Sequence, residues 1–309
     1  MHERLFAHAG LSLERLRTFR EIAAIGGITA AAHNDPNRQS QFSRQLKELE
    51  KFFGVELIRR GRGPLCLTSA GRQLQAVAGV ALRGLEDFQA SCRSQPVELT
   101  VGAGESLIQW WLLPRMPTSA TLGKNLMLVF ENLRNEDILS GIKSGDLDFG
   151  VISRMVGDPK LESTPLGRLE FRLFVPERFY RPTARTDRAI LAGLPMAELI
   201  GANAISNALT NEAKAKTSEH NVRFRFSSYP QLARAISSGE VAGIMPLMAA
   251  TGMPKTGIRM VELRLLKDLA RDVHLIWSRA MAEVRPSIPR VATLLTSAWR
   301  NFKADASPR

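Results

Sequence analysis

The sequence predicts an α/β protein built in three parts: a small helical head closed by a β-hairpin, one long helix, and a body of two α/β lobes. Three observations predict it. Apolar residues recur at helical spacing from Leu13 to Phe53 and again from Leu74 to Phe88, whereas from Pro96 onward short strand-like runs alternate with helical ones. Basic residues gather in the head, where residues 38–72 hold eight Lys or Arg against three Glu, a net +5 of the chain's +12. At 309 residues the chain also exceeds one small core, given roughly 100–200 residues per domain.

In the head, Leu13, Leu16, Phe19, Ile22 and Ala23 fall on one helical face, and Gly26-Gly27 ends that segment. A short second helix is expected from about Thr29 to His33. Asp35-Pro36 breaks it, because proline disfavours α geometry in the residue before it and lacks the N–H that a helix interior needs. Asn37 or Asp35 can cap a third helix, which runs to about Phe53 and stops at Gly54. In it Phe42, Leu46, Leu49 and Phe53 form one apolar stripe, with Ser40, Ser43, Arg44, Lys47 and Lys51 on the far side. Val55 to Arg60 and Leu65-Cys66-Leu67, joined by the basic turn Gly61-Arg62-Gly63-Pro64, read as a hairpin or wing.

Thr68-Ser69-Ala70-Gly71 can cap a long helix from about Ala70 to Cys92, striped by Leu74, Val77, Ala81, Leu85 and Phe88. A helix this long between two domains is expected to pair with its copy in a second chain. The body then reads as strand Val97 to Gly104, helix Glu105 to Leu113 ended by Pro114, strand Leu126 to Glu131, helix Asn135 to Ser144 and strand Leu147 to Ser153. That βαβαβ order predicts a mostly parallel sheet covered on both faces. A second set follows: strand Glu170 to Val175, a helix around Asn207 to Thr217, strand Val222 to Ser227, helix Pro230 to Ser237 and strand Ala242 to Met245. Strands Ile258 to Leu263 and Val273 to Trp277 and a helix from about Ile288 to Phe302 complete the chain. The expected divisions are 1–69, 70–95 and 96–309, with one lobe at about 96–167 and 270–305 and the other at about 168–269. Two lobes joined in this way place a ligand in the cleft between them.

The +12 charge and a pI near 10.4 point to a polyanionic partner, nucleic acid before membrane, since the longest run free of Asp, Glu, Lys and Arg is the 14 residues of Val241 to Pro254. The first 25 residues hold no apolar signal-peptide core, and two cysteines, Cys66 and Cys92, fit a reducing cytoplasm. The five histidines are scattered. No HExxH, GxSxG or phosphate-loop pattern occurs, and Gly102-Ala103-Gly104 lacks the third glycine of a dinucleotide fingerprint, so neither an enzyme nor a cofactor is expected.

The head carries Leu16, Phe19, Gly26-Gly27-Ile28-Thr29, Ala31-Ala32, Gln39, Phe42-Ser43-Arg44-Gln45-Leu46, Leu49-Glu50, Gly54-Val55-Glu56-Leu57-Ile58-Arg59-Arg60 and Leu67-Thr68-Ser69-Ala70-Gly71. These residues resemble, without a gap, the DNA-binding domain of the LysR-type transcriptional regulators. Leu99-Thr100-Val101-Gly102, Leu112-Leu113-Pro114, Gly145-Asp146-Leu147-Asp148-Phe149 and the stretch from Ile236 to Pro246 are similar to pieces of that family's effector-binding domain. The resemblance implies a winged helix-turn-helix domain, a linker helix and a two-lobed periplasmic-binding-protein-like effector domain. It implies a sequence-specific regulator that binds double-stranded DNA at a dyad-like operator as a homodimer or homotetramer, a dimer of dimers, under a small-molecule effector. The alternatives are a constitutive DNA-binding protein whose C-terminal domain only oligomerises and, ranked behind it, a small-molecule-binding enzyme.

With the third helix in the major groove, Gln39 can read adenine, Arg44 can read guanine or clamp a phosphate, and Arg38, Ser40, Ser43 and Lys47 lie along the same helix for backbone contact. In the wing, Arg59, Arg60 and Arg62 are placed for backbone or minor-groove contact, with an ion pair to Glu50 as the alternative for Arg60. By resemblance the effector residues are Ser106, Ser153, Asn203 and Ser206. The chain departs from the family pattern at Asp35 and Asn37, where apolar residues usually flank the turn, at Ile58, and at Gly104, where relatives often carry a serine or threonine.

Overall fold

The computed structural model describes residues 3–6, 9–59, 65–154, 157–201, 205, 207–209, 221–254 and 256–300. After a single helical turn at Glu3–Phe6, the head is built on α1 (Leu13–Ile25), capped by the Ser12 hydroxyl and ended by Gly26 in the left-handed region at φ 80°. After α2 (Ile28–Ala31), His33 and Asn34 take φ of 53° and 60°. Among side-chain-bearing residues, Asn and His enter that region most readily, which accounts for their presence here. Asp35, and not Asn37, caps α3 (Pro36–Phe53): its Oδ1 accepts from the N–H of Asn37 at 2.8 Å and of Arg38 at 3.4 Å. Helix α2 ends at Ala31, short of the expected His33, because His33 and Asn34 turn left-handed; Pro36 opens the next helix, standing where a missing N–H costs nothing.

Phe19, Ile22, Ala31, Ala32, Phe42, Leu46 and Leu49 close the head's core together with Leu57 and Ile58. Phe53 departs from the expected stripe: it is 37% exposed and meets Phe52 edge-on, with ring centroids 5.0 Å apart. The wing is an antiparallel pair, β1 (Ile58–Arg59) with β2 (Cys66–Leu67). Glu50 anchors it to α3 by accepting from the N–H of Leu57 at 2.9 Å and of Ile58 at 3.4 Å. The wing tip, with Arg60 and Arg62 and the alternative pairing of Arg60 with Glu50, lies outside the described residues.

Helix α4 (Ser69–Cys92) is capped by Thr68, whose hydroxyl accepts from the Gly71 N–H at 3.0 Å. Its 24 residues span about 36 Å. Gly71 is required where α4 meets the wing, since a Cβ there would fall 2.1 Å from the carbonyl oxygen of Leu57. Leu74 packs on the head's core, whereas Val77, Leu85 and Phe88 stand 66%, 49% and 68% exposed.

The body runs through β3 (Val97–Ala103), β4 (Leu126–Asn132), α5 (Asn135–Ser144), β5 (Phe149–Ile152), β6 (Leu161–Leu169), β7 (Phe171–Pro176), β8 (Pro195–Leu199), β9 (Asn221–Phe226), α6 (Tyr229–Ser237), β10 (Ala242–Pro246), β11 (Ile258–Val261), β12 (Arg271–Ser278), α7 (Arg279–Val284) and α8 (Ser287–Trp299). In place of one helix from Glu105 to Leu113 there is a short α turn, a wide π segment at Ile108–Leu112 and a 3-10 turn through Pro114. The wide segment accompanies the burial of two successive tryptophans, and Trp111 Nε1 donates to the Trp299 carbonyl at 2.9 Å. Of the helix expected near Asn207 to Thr217, positions 205 and 207–209 are helical and the remainder lies outside the described residues, as does Phe302.

The sheets are mixed rather than mostly parallel. One has the order β4-β3-β5-β12-β6, with β3, β4 and β5 parallel and β12 antiparallel to both its neighbours. The other has the order β11-β7-β10-β8-β9, with β8, β9 and β10 parallel and β7 antiparallel to β10 and β11. The two crossings explain the difference. The chain passes from one sheet to the other at Glu170 and returns at Ala270. Strands β3, β4 and β5 end facing the second lobe, so β12, which starts from that side, must run against them; β7 is reversed in its own sheet for the same reason.

Candidate functional site

On the head, Gln39, Arg44 and Lys47 are exposed on α3 and Ser43 is half-buried beside them. Ser40 is exposed and its hydroxyl donates to the Pro36 carbonyl at 2.9 Å. Their spacing of one, three or four residues puts them on adjacent rows of one helix face. The Arg44 guanidinium stands 74% exposed, 4.0 Å from Glu48, whose charge is already taken up by Arg15 of α1. Arg59 is exposed on β1. Arg38 differs from the others: it pairs with Glu21 of α1 at 3.0 Å and lies 5.0 Å over the Phe42 ring, so it braces the head.

In the body, a cleft of about 870 Å³ opens between the two sheets. The parallel register aligns the ends of β3, β4 and β5, and so brings Gly104, Asn132 and Ser153 to one edge. Because β12 runs against β5, with His274 opposite Ile152, its first residue Arg271 reaches the same edge. Ser106 lines the cleft beside Gly104, and Asn135 Nδ2 donates to the Ser153 hydroxyl at 3.4 Å. The facing wall comes from Ser227, Ser228 and Tyr229 at the start of α6, with Leu199, Gly201 and Ile205 beside them. Asn203 and Ser206 lie outside the described residues.

Arg134, Tyr229 and Arg271 were not expected in this cleft. The available signal was positional: Ser228-Tyr229-Pro230 opens a helix directly after a strand, and Arg271 is the first residue past the return crossing. Burial pushes the Tyr229 hydroxyl up to about 12 against the pull of the Arg271 charge, so it stays a protonated donor at neutral pH. Gly104 leaves a gap in the wall, since a Cβ on it would meet nothing within 4 Å. Among the described residues no group of three His, Cys, Asp or Glu side chains clusters as metal ligands would, and no helix is long and apolar enough to cross a membrane.

A model of the bacterial regulatory helix-turn-helix proteins of the lysR family matches residues 13–72, and one of the LysR substrate binding domain matches residues 94–299. The chain belongs to the LysR family of transcriptional regulators. This LysR-type regulator is similar to the transcriptional activator BauR of Pseudomonas aeruginosa, 27% identical over 243 residues that cover 75% of the chain and 77% of BauR. It is also similar to a probable hydrogen peroxide-inducible genes activator of Mycobacterium leprae, 30% identical over 166 residues, about half of each protein at 52% and 53%. ArgP from Mycobacterium tuberculosis shares its fold at a TM-score of 0.62 and 18% identity, covering 93% of this chain and 98% of ArgP. Full-length OxyR from Pseudomonas aeruginosa does so at 0.61 and 19%, covering 94% and 95%. The LysR-type regulator therefore has a DNA-binding head followed by an effector-binding domain, and it regulates transcription rather than catalysing a reaction.

Proposed function

We propose that this regulator binds a dyad-like operator in the cytoplasm as a dimer of dimers and responds to a small molecule held between its two lobes. The observation that carries the reading is the two-sided build of head and linker: α3 presents Gln39, Ser40, Ser43, Arg44 and Lys47 to solvent, while α4 presents Val77, Leu85 and Phe88. A lone reading helix spans only a few base pairs, and an unpartnered apolar stripe on the adjoining helix is the means to double it. Arg59, with Arg60 and Arg62, takes the flanking phosphates or minor groove.

The effector reading places Ser106 and Ser153 against the ligand, with Asn203 and Ser206 from the second lobe. Arg271 and the Tyr229 hydroxyl offer a cation and a donor to a carboxylate or other anionic group of the effector, while Glu105 and Asp137 on the same lining offer carboxylates to a cationic one. Gly104 supports a second reading, in which the body only oligomerises, because it removes a hydroxyl from the wall. Selection of bound sequences from a random DNA pool by the full chain tests the first part: a pool without an enriched dyad would sink the operator reading. A thermal-shift screen of the full chain against a broad metabolite panel separates the two effector readings, since ligand-linked stabilisation of about 2–4 kcal/mol is expected at a large excess over Kd.

A further inference from the structure

The geometry points to a docking contact between the winged-helix head and the effector domain of the same chain, made on the turn at residues 144–148, that fixes the angle between them. Gly79, Arg83 and Asp87 recur every four residues and share one face of α4. At Gly79 the helix backbone rests directly on the turn, where a Cβ would lie 2.4 Å from the Ser144 carbonyl oxygen and 3.1 Å from Gly145 Cα. One turn further on, Arg83 donates to the Asp146 carbonyl at 3.1 Å. The head reaches the same place independently: Arg20 of α1, its side chain 13% exposed, pairs with Asp146 Oδ1 at 2.5 Å, and Asp146 Oδ2 accepts from the Ser144 hydroxyl at 2.5 Å. A single short turn therefore grips α1 and α4 together.

The dock has a part sealed from water and a part exposed to it. Arg285, with a fully buried side chain, holds Asp87 and Asp148 and seals the far end of α4 to the body. The Asp146 carboxylate is 43% exposed, so water competes for Arg20. The dock also ends α5, whose first residue, Asn135, lines the cleft about 15 Å away. A ligand that shifts Asn135 and Ser153 thus moves the seat of the head, a step that rests on the effector reading above.

Hydrogen–deuterium exchange on the full chain tests the contact. Arg20→Gln is expected to raise exchange across residues 141–148 about fivefold, and the double variant Arg20→Asp with Asp146→Arg to return it toward the original value. Asp146→Asn is the reciprocal probe and should raise exchange across residues 13–25, which keeps the proposal testable if the Arg20 variant folds poorly. Had Arg20 only a structural role inside the head, Arg20→Gln would loosen residues 13–25 and leave residues 141–148 unchanged, and that result would overturn the dock. For the link to the cleft, Ser153→Cys in a chain with Cys66→Ser and Cys92→Ser can be alkylated with N-ethylmaleimide to place a bulky adduct in the cleft beside Asn135. Exchange at residues 141–148 is expected to change on labelling, and constancy there would overturn the link while leaving the dock.

Discussion

Arg285 and Asp87 are joined by two hydrogen bonds, 2.7 Å from Nε and 2.8 Å from a terminal nitrogen, across 198 residues of sequence. The same guanidinium holds Asp148, and both of those side chains are sealed from water. Burial pushes the Asp148 carboxyl above its ordinary range against the pull of Arg285. Burial works to lower the guanidinium, but its bonds and charges with Asp87 and Asp148 outweigh that and leave it raised.

Removing the guanidinium leaves a carboxylate buried without its counter-charge. Arg285→Ala is expected to cost about 3–5 kcal/mol, read by chemical denaturation. A carboxyl raised in the folded state contributes stability below its unfolded pKa and loses it as pH rises through the folded value. Without Arg285 that value climbs further, so the deficit should be largest near neutrality and shrink toward about pH 4. A deficit independent of pH would remove Asp148 from this account.

Tyr229 provides a second pH signature. With the folded value near 12 against an ordinary 10, its contribution to stability is complete below about pH 10 and lost as pH rises through 12. The chain has only two tyrosines. Absorbance titration should therefore show one phenolate appearing late, with its midpoint near pH 12, and Tyr229→Phe should abolish that late component. Its survival in the variant would assign the shift elsewhere.

Arg44 and Arg38 should separate reading from bracing. Arg44→Ala is expected to leave the melting temperature unchanged and to flatten the salt dependence of binding to a selected DNA site by about one unit per lost phosphate contact. Arg38→Ala loses a partly exposed pair with Glu21 and its place over Phe42, and should lower stability by up to about 1 kcal/mol. Equal effects of the two on stability would contradict the geometry.

Phe88→Glu places a charge on the stripe of α4 at a side chain that is itself 68% exposed. Light scattering coupled to size exclusion should show a smaller assembly, with circular dichroism unchanged. An unaltered mass would exclude this stripe as the pairing surface.

The head was legible because local chemistry settles it. Asp35 and Pro36 fix where α3 begins, Gly54 fixes where it ends, and Phe42, Leu46 and Leu49 mark its inner face. The mixed sheets were not legible: the two crossings are expected near residues 168 and 270, but the apolar pattern of a strand carries no direction, so the reversal of β7 and β12 that follows from the crossings is invisible in it. Strand β6 was missed because Pro165 and Gly167 interrupt it; it survives by pairing with β12, whose register slips between Val273 and His274. In the cleft, Ser106 at a helix start and Ser153 at a strand end came from the family resemblance, whereas Arg271 depends on the antiparallel return of β12. The junction of Asp87, Asp148 and Arg285 joins three distant segments and has no signature in any one of them.

The open space above Gly104 makes it a natural entry point for redesign. Its φ of −68° suits any ordinary residue, and the new Cβ would displace nothing. A library at this one position would vary the shape and polarity of the cleft wall while leaving the strand beneath it in place, so, on the effector reading proposed above, the ligand range of a sensor built on this chain could be retuned with little penalty in folding.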